Sequence, residues 1–236
     1  MIFVTGDIHN SDFHRFKKFK SEFKPTKDDV LIVAGDFGLP WYNTESMNHS
    51  SDLFYIKQLS QKPFTTCFVD GNHENFDLLN ALPQVEMFGN TCGKLTDKIF
   101  HLKRGNIYNI QGKKILALGG ASSTDKAWRI IHEQTKGQKV WWNQELWSFE
   151  DEQNCLKNLD AHEWKVDYVI SHTCPSVIID KLVPKGTPLH QDPTQKILEM
   201  VFADLQFAKW YFGHWHVDEI IDEQFCAIYQ NVRRIE

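Results

Sequence analysis

The sequence predicts an α/β fold, because two hydrophobic patterns alternate along it. Short apolar runs rich in β-branched and aromatic residues are typical of buried strands, and longer stretches between them place apolar residues at helical spacing. Most of the apolar runs end at or just before a short polar motif, and several of these motifs contain glycine. This alternation is what strands and helices packed in layers require.

The expected elements follow these patterns in order. The apolar runs predict strands at residues 2–5, 30–34, 64–70, 114–119, 167–171 and 209–212. Helical spacing predicts helices at residues 11–23, 51–61, 75–82, 143–163 and 193–205. Two short strands at 217–222 and 225–229, separated by a turn at Glu223-Gln224, are expected to return the chain to a sheet.

The first helix illustrates the reasoning. Phe13, Phe16, Phe19 and Phe23 recur at helical spacing, and the lysines between them form a face for solvent. The formal net charge of −5 argues against non-specific binding of nucleic acid, which draws on clustered lysine and arginine. We therefore do not expect a nucleic-acid partner.

Length and composition suit a globular protein. At 236 residues the chain fits one large domain or two small ones, and polar motifs at both ends favour a single domain over residues 1–236. The five cysteines form no C-x-x-C pair, which suits a reducing compartment. The chain begins with a strand and a motif, and no apolar run reaches membrane-spanning length, so we expect a cytoplasmic protein without membrane contact.

Five motifs carry residues that bind metal ions. Asp7 and His9 stand two apart after the first strand, so both side chains can reach one ion. A glycine precedes most of the candidate ligands, and a residue without Cβ allows close approach to a metal or phosphate. The motifs are Gly6-Asp7-Ile8-His9, Gly35-Asp36, Gly71-Asn72-His73-Glu74, His172 and Gly213-His214-Trp215-His216.

In order and composition these motifs resemble those of the calcineurin-like metallophosphoesterase superfamily: D-x-H, G-D, G-N-H-[DE], H and G-H-x-H. The resemblance implies a four-layer α-β-β-α sandwich of two mixed sheets flanked by helices. It also implies two metal ions bridged by Asp36. One ion would be held by Asp7, His9 and His216, and the other by Asn72, His172 and His214.

Imidazole and carboxylate ligands without a thiolate suit transition metals. We expect two divalent ions, with manganese first and Fe, Zn, Co and Ni as alternatives. The activity that the resemblance implies is hydrolysis of phosphate mono- or diesters by a hydroxide bridging the two ions. Small phosphorylated molecules or nucleotides are the expected substrates. The alternative is a non-catalytic nucleotide- or protein-binding module on the same fold.

His73 matches the histidine that serves in the family as a general acid, so we expect His73 and Asp36 to be catalytic. Protein phosphatases of the superfamily extend the second motif to G-D-x-x-D-R-G, and the later Asp orients that histidine. This chain reads Gly35-Asp36-Phe37-Gly38-Leu39-Pro40, so the orienting Asp and Arg are missing. Two roles stay open for Glu74: an acceptor for a histidine ring, or a cap for the following helix.

Residues 121–149 match none of the metal motifs, but tryptophans and cations are frequent there. We expect an irregular segment that caps a phosphorylated ligand, with Lys126 and Arg129 as the phosphate contacts. Core packing of the tryptophans is the alternative. Residues 101–105 are a second candidate loop. Trp41-Tyr42 is expected either to line the pocket or to pack on the 51–61 helix.

Overall fold

The structure is a computed structural model that describes residues 1–9, 13–184 and 190–235. The strands in these ranges are β1 (Ile2–Thr5), β2 (Val30–Ala34), β3 (Thr65–Val69), β4 (Gln84–Met87), β5 (Asn90–Thr96), β6 (Ile99–Leu102), β7 (Ile107–Ile110), β8 (Lys113–Leu118), β9 (Tyr168–Ser171), β10 (Lys209–Phe212), β11 (Glu219–Ile220), β12 (Phe225–Ala227) and β13 (Arg233–Arg234). The α-helices are α1 (Phe13–Phe23), α2 (His49–Ser60), α3 (Phe76–Asn80), α4 (Lys126–Lys136), α5 (Phe149–Ala161), α6 (Ser176–Leu182) and α7 (Pro193–Asp204).

The strands form two mixed sheets. The first has the order β13-β1-β2-β3-β6-β5-β4, and β1, β2, β3 and β6 run parallel. The second has the order β11-β12-β10-β9-β8-β7, and β12, β10, β9 and β8 run parallel. Antiparallel strands close the edges of both sheets, as β13 does beside β1 and β7 beside β8.

Alternation along the strands produces the layers. In β1, Ile2 and Val4 join a buried cluster that also contains Ile115 and Ile170 of the second sheet, so this cluster fills the space between the sheets. Phe3 points the other way and packs with Phe16 and Phe19 of α1, which covers the outer face of the first sheet.

Helices also cover the outer face of the second sheet. Leu116, Val169 and Trp210 pack there with Leu159 of α5 and Leu198 of α7. The predicted four-layer α-β-β-α sandwich is therefore confirmed. No helix within the described ranges has the length and apolar character needed to cross a membrane.

The longest predicted helix, 143–163, is wrong in its first turn and a half. Residues Asn143–Glu145 form a separate 3-10 turn, and α5 begins only at Phe149. Ser148 and Asp151 form a capping box: the Ser148 hydroxyl accepts from Asp151 N, and the Asp151 carboxylate accepts from Ser148 N. This start signal, readable in the sequence as serine followed three residues later by an acid, overrides the apparent periodicity.

Other differences concern short elements. Residues 121–149 are not irregular throughout, because α4 occupies Lys126–Lys136 and ends at Gly137, whose φ is 67°. The strands β4 to β7 were not predicted, since β4 exposes alternate residues at a sheet edge and carries no continuous apolar run. The first two residues of the predicted 11–23 helix lie outside the described residues.

Candidate metal centre

The candidate ligands stand on loops that leave the carboxyl ends of parallel strands. Asp7 and His9 follow β1, Asp36 follows β2 and Asn72 follows β3 in the first sheet. His172 follows β9, and His214 and His216 follow β10 in the second sheet. Loops at the carboxyl ends of parallel strands meet at one sheet edge, where ligands commonly bind.

A first group of four side chains fits a divalent cation. One ligand atom each from Asp7, His9, Asp36 and His216 lies within 4.8 Å of all the others. The Nε2 atoms of His9 and His216 are 3.3 Å apart, and His9 Nε2 is 3.8 Å from Asp36 Oδ2. Two carboxylates and two imidazoles facing one point form a donor set suited to a transition metal.

A second group gathers around His172, which is fully buried. Its Nε2 lies 3.1 Å from Asn72 Oδ1 and 3.2 Å from Asp36 Oδ1. The His214 ring packs edge-on against it, with centroids 5.0 Å apart. His172 Nδ1 lies 2.9 Å from the Ala34 carbonyl and donates to it, which leaves Nε2 aimed at the two oxygens.

The carboxylates near His172 stabilise a positive charge at this position. Burial alone would lower the pKa of His172, but the neighbouring Asp36 charge and hydrogen bond, together with Asp7, raise it to about 10. Burial would raise the pKa of Asp36, yet the His172 charge holds it well below its usual range. Without a metal ion, a proton on His172 balances the carboxylates that an ion would otherwise neutralise.

His214 differs from His172 in charge. Burial, with His172 as a positive neighbour, lowers the pKa of His214 to about 3. Its imidazole is therefore neutral at physiological pH. A neutral ring nitrogen is the form in which histidine binds a metal ion.

The backbone of the ligand loops adopts an uncommon conformation. His9, Asp36, His214 and His216 have φ values of 42°, 48°, 67° and 52°, in the left-handed region that residues other than glycine rarely occupy. Hydrogen bonds hold them there: His9 N donates to the Asp36 carbonyl over 2.9 Å, and His214 N donates to Asp7 Oδ1 over 3.0 Å. Such strained residues cluster at functional sites.

Two glycines make this close packing of the candidate ligands possible. A Cβ on Gly35 would lie 2.1 Å from His172 Nδ1, and Gly35 also has a φ of 88°. A Cβ on Gly71 would lie 2.2 Å from Asp36 Oδ1. Any larger residue at either position would displace a candidate ligand.

His73 lies at the open side of the centre. Its backbone N donates to Asp36 Oδ1 over 2.7 Å, and its ring stands perpendicular to that of His9 with centroids 4.8 Å apart. Burial lowers the pKa of His73 to about 4; the Asp36 charge opposes this, and the Arg129 charge adds to it. The imidazole is thus neutral before a ligand arrives.

Arg129 of α4 contacts the ring of His73. Its Nη2 lies 2.6 Å from His73 Nε2, and its Nη1 donates to the Asn72 carbonyl over 3.1 Å. Asp125 accepts from Arg129 Nε over 2.7 Å and fixes the guanidinium, which is 3% exposed. The segment 121–149 therefore supplies a partner for the His73 ring.

Lys126, the other predicted phosphate contact, lies at the start of α4. Its Nζ is 4.1 Å from the centroid of the Trp141 ring, in a cation–π contact. Its assignment to phosphate stays a prediction.

Neither role predicted for Glu74 is the one it has. Its buried carboxylate accepts from Phe37 N over 2.8 Å and from Gly38 N over 3.0 Å. The cap of α3 is Asn75, whose side chain accepts from Leu78 N. Glu74 thus fixes the loop that follows Asp36, and the burial that this requires raises its pKa well above the usual value.

Ser123 and Glu145 are site residues that sequence reasoning missed. Asn72 Nδ2 donates to Ser123 Oγ over 3.3 Å, and Ser123 Oγ donates to Glu145 Oε2 over 2.6 Å. This buried chain turns the amide oxygen of Asn72 toward His172. The only signal in the sequence was the pair of serines, Ser122-Ser123, that comes shortly after Gly119-Gly120.

Residues 101–105 are only in part a loop, and their contact with a ligand stays a prediction. His101 belongs to β6, and Arg104 is buried against Asp70, with Arg104 Nε 2.8 Å from Asp70 Oδ2 and His101 Nε2 3.1 Å from Asp70 Oδ1. This charged cluster is part of the scaffold behind Asn72.

Trp41 and Tyr42 do both things that were predicted as alternatives. With His9, Gly38 and His73 they line a cavity of about 250 Å³. Their backbone is also bonded to α2 through Asp52. The five cysteines are all free and buried.

Proteins similar to this chain include one curated relative and two solved structures. The lariat debranching enzyme of Schizosaccharomyces pombe is 23% identical over 212 residues, which cover 80% of this chain and 43% of the relative, so this chain spans less than half of that protein. A provisionally identified 5′-nucleotidase from Staphylococcus aureus, solved with α-ketoglutarate, has 15% identity and a TM-score of 0.48 over 98% of this chain and 49% of its own. Phosphopantetheinyl hydrolase from Mycobacterium tuberculosis has 12% identity and a TM-score of 0.45 over 97% and 89%.

The family comparison covers most of the chain. Residues 1–218 match the model of the calcineurin-like phosphoesterases, a range that includes every candidate ligand from Asp7 to His216. The chain belongs to the calcineurin-like phosphoesterase family.

Proposed function

We propose that this protein is a metal-dependent phosphoesterase that hydrolyses small phosphate mono- or diesters, nucleotides among them. The observation that carries the proposal is the convergence of carboxylates and imidazoles from both sheets on one edge, with Asp36 between the two groups. The family to which the chain belongs hydrolyses phosphoesters with divalent metals, which supports the same activity.

The donor set fits two ions. Asp7, His9 and His216 would hold one, Asn72, His172 and His214 the other, and Asp36 would contact both. Bound there, the ions would supply Lewis acidity and a hydroxide nucleophile at neutral pH. Manganese is our first choice, with Fe, Zn, Co and Ni as alternatives, because imidazole and carboxylate ligands accept all of them.

The residues around the ions have separate tasks. His73 would give a proton to the leaving oxygen. Arg129 would bind a phosphate oxygen, since a charged oxygen is a stronger acceptor for a guanidinium than a neutral imidazole. When Arg129 donates to the phosphate, His73 Nε2 would be released, take up a proton from solvent and pass that proton to the leaving oxygen. The segment 121–149 would in this way couple substrate binding to the acid, with Lys126 as a further candidate contact for phosphate.

The test compares two chromogenic esters. Chelated protein is reloaded with Mn, its metal content is measured, and hydrolysis of p-nitrophenyl phosphate and bis(p-nitrophenyl) phosphate is followed. We expect turnover of at least one ester, which Asp36→Asn abolishes together with bound metal. The matched control is Asp97→Asn, which changes a carboxylate that is 91% exposed and should leave turnover unchanged.

The ratio of the two rates decides between monoester and diester substrates. Turnover that persists in Asp36→Asn would contradict the proposal. Two bound ions without turnover of either ester would favour the alternative of a binding module.

A further inference from the structure

A cavity opens beside the candidate metal centre. Most of its wall is formed by residues that are not candidate metal ligands. His9 and His73 form the side next to the centre, and Gly38, Trp41 and Tyr42 form the rest. None of these last three residues carries a charge. A group that binds against them is therefore recognised by contact and stacking rather than by ion pairing.

The Trp41-Tyr42 dipeptide is held from behind through its backbone. Asp52 Oδ2 accepts from Trp41 N over 2.6 Å and from Tyr42 N over 2.7 Å. Asn75 Nδ2 donates to the Trp41 carbonyl over 2.7 Å, and His49 Nδ1 lies 3.1 Å from the Tyr42 carbonyl. Surface loops usually leave such groups to water. In Trp41-Tyr42, side chains form hydrogen bonds with both backbone N–H groups and both carbonyls, so the backbone of the dipeptide has a fixed direction.

The Trp41 ring is also supported from the side. It packs edge-on against Trp142, with centroids 5.6 Å apart, and Trp142 is buried and donates from Nε1 to Asp77 over 2.7 Å. Trp41 and Tyr42 themselves remain half-buried. A rigid loop that keeps two aromatic rings partly open to solvent provides a preformed stacking surface.

The position of this surface identifies which part of a substrate would reach it. In the proposed function, on which this inference rests, His73 protonates the leaving oxygen. The group attached to that oxygen then extends from His73 into the cavity. We propose that Trp41 and Tyr42 bind the leaving group of the ester and favour one that carries a flat aromatic ring, as a nucleoside does.

Two hydrolysis-resistant phosphonates test this inference, with carbon in place of the ester oxygen in adenosine 5′-phosphate and in ribose 5-phosphate. They share the phosphonate and the ribose, so the ratio of their dissociation constants reports the base alone. Both are titrated by calorimetry into the Mn-loaded protein. We expect tighter binding of the adenosine compound, and Trp41→Ala or Tyr42→Ala should weaken it about 5- to 150-fold, the range for loss of one base–aromatic stack.

The ribose compound serves as the check on folding, because its affinity should stay within twofold in both variants. Trp41→Phe, which retains a ring, should keep most of the preference. The matched control is Phe54→Ala, which removes an aromatic ring that is 57% exposed on α2 and should change neither constant.

Equal binding of the two phosphonates to the wild-type protein, or binding of neither, would overturn the inference. A preference that survives in Trp41→Ala and in Tyr42→Ala would overturn it as well. Failure of the proposed function would look different: phosphonate binding would be intact, and neither chromogenic ester would be hydrolysed.

Discussion

Arg129 Nη2 lies 2.6 Å from His73 Nε2, and the two residues are 56 positions apart in the sequence. The contact places a permanent positive charge beside the ring of His73, which the proposed function makes the general acid. Asp125 holds the guanidinium in place from the other side. In this chain the position of the His73 ring is therefore set by a residue of α4 and not by an extension of the second motif.

Replacement of Arg129 should weaken catalysis through the phosphate. A hydrogen bond to a charged group contributes about 1.5–3 kcal/mol, so Arg129→Ala should lower kcat/KM about 10- to 150-fold. Arg129→Lys retains the charge but not the forked geometry of the guanidinium. Its kcat/KM should lie between those of the wild type and Arg129→Ala. Steady-state kinetics on Mn-loaded protein measures both.

The matched control for this prediction is Lys136→Ala, which removes an exposed cation from the last turn of the same helix. Its kcat/KM should stay within twofold of wild type. An unchanged kcat/KM in Arg129→Ala would show that Arg129 serves only to position the loop.

The loss of hydrolysis rate on replacement of His73 should depend on the leaving group. General acid catalysis contributes about 10²–10⁴-fold, and only to leaving groups that need a proton. His73→Ala should therefore slow hydrolysis of alkyl phosphates strongly and of p-nitrophenyl phosphate weakly. A series of esters with graded leaving-group pKa measures the difference, and His162→Ala is the control. Equal losses for all esters, with a fall in metal content, would make His73 a ligand or a structural residue.

Metal binding should release a proton from His172. In the metal-free protein its pKa of about 10 means that the ring is charged at pH 7.5, and an ion at Nε2 must displace that proton. Because the proton competes with the ion below the raised pKa, the affinity for Mn should increase with pH between 7 and about 10. Calorimetry in buffers of different ionisation enthalpy measures the released proton. An affinity independent of pH over this range would contradict the prediction.

Asp70 should make stability depend on pH. Burial would raise its pKa, but Arg104 and His101 hold it below the ordinary value of 3.8. Since the folded-state pKa is the lower one, the stabilisation is present above about pH 4 and is lost as pH falls further. Asp70→Asn removes the buried carboxylate that pairs with Arg104 and should lower the free energy of unfolding at pH 7 by about 3–5 kcal/mol.

Urea denaturation of the chelated protein at pH 7, 5 and 3.5 measures this effect without interference from bound ions. The difference between wild type and Asp70→Asn should narrow at the lowest pH. Asp97→Asn is the control and should leave the denaturation midpoint nearly unchanged. A difference that stays constant at all three pH values would show that the ion pair is not its source.

The candidate ligands could be predicted because each one lies within four residues of the end of a buried strand. Asp7 and Asp36 follow apolar runs whose limits, 2–5 and 30–34, agree with the observed β1 and β2. Strand ends and glycines are local features, and the common direction of parallel strands is enough to bring their ends together. The alternation of strands and helices predicted an α/β fold, and the four layers were predicted from the family resemblance that the motifs carry.

The partners of the ligands could not be predicted, because they depend on contacts between distant segments. Ser123 lies 51 residues from Asn72, and Glu145 lies a further 22 along the chain. Nothing local distinguishes Glu145 from the other acids of its segment. Arg129 was predicted as a phosphate contact from its chemistry, but its contact with His73 follows only from how α4 packs.

The ligand loops come from both sheets, and each proposed ion would have donors from both. Asp7, His9 and Asp36 belong to the first sheet and His216 to the second; Asn72 belongs to the first sheet, and His172 and His214 to the second. Ions held in this way would link the two sheets of the sandwich at the edge where their ligand loops meet. Part of the free energy of metal binding would then stabilise the packing of the two sheets on each other. In the metal-free chain, the contacts between the sheets at this edge would be the first to weaken.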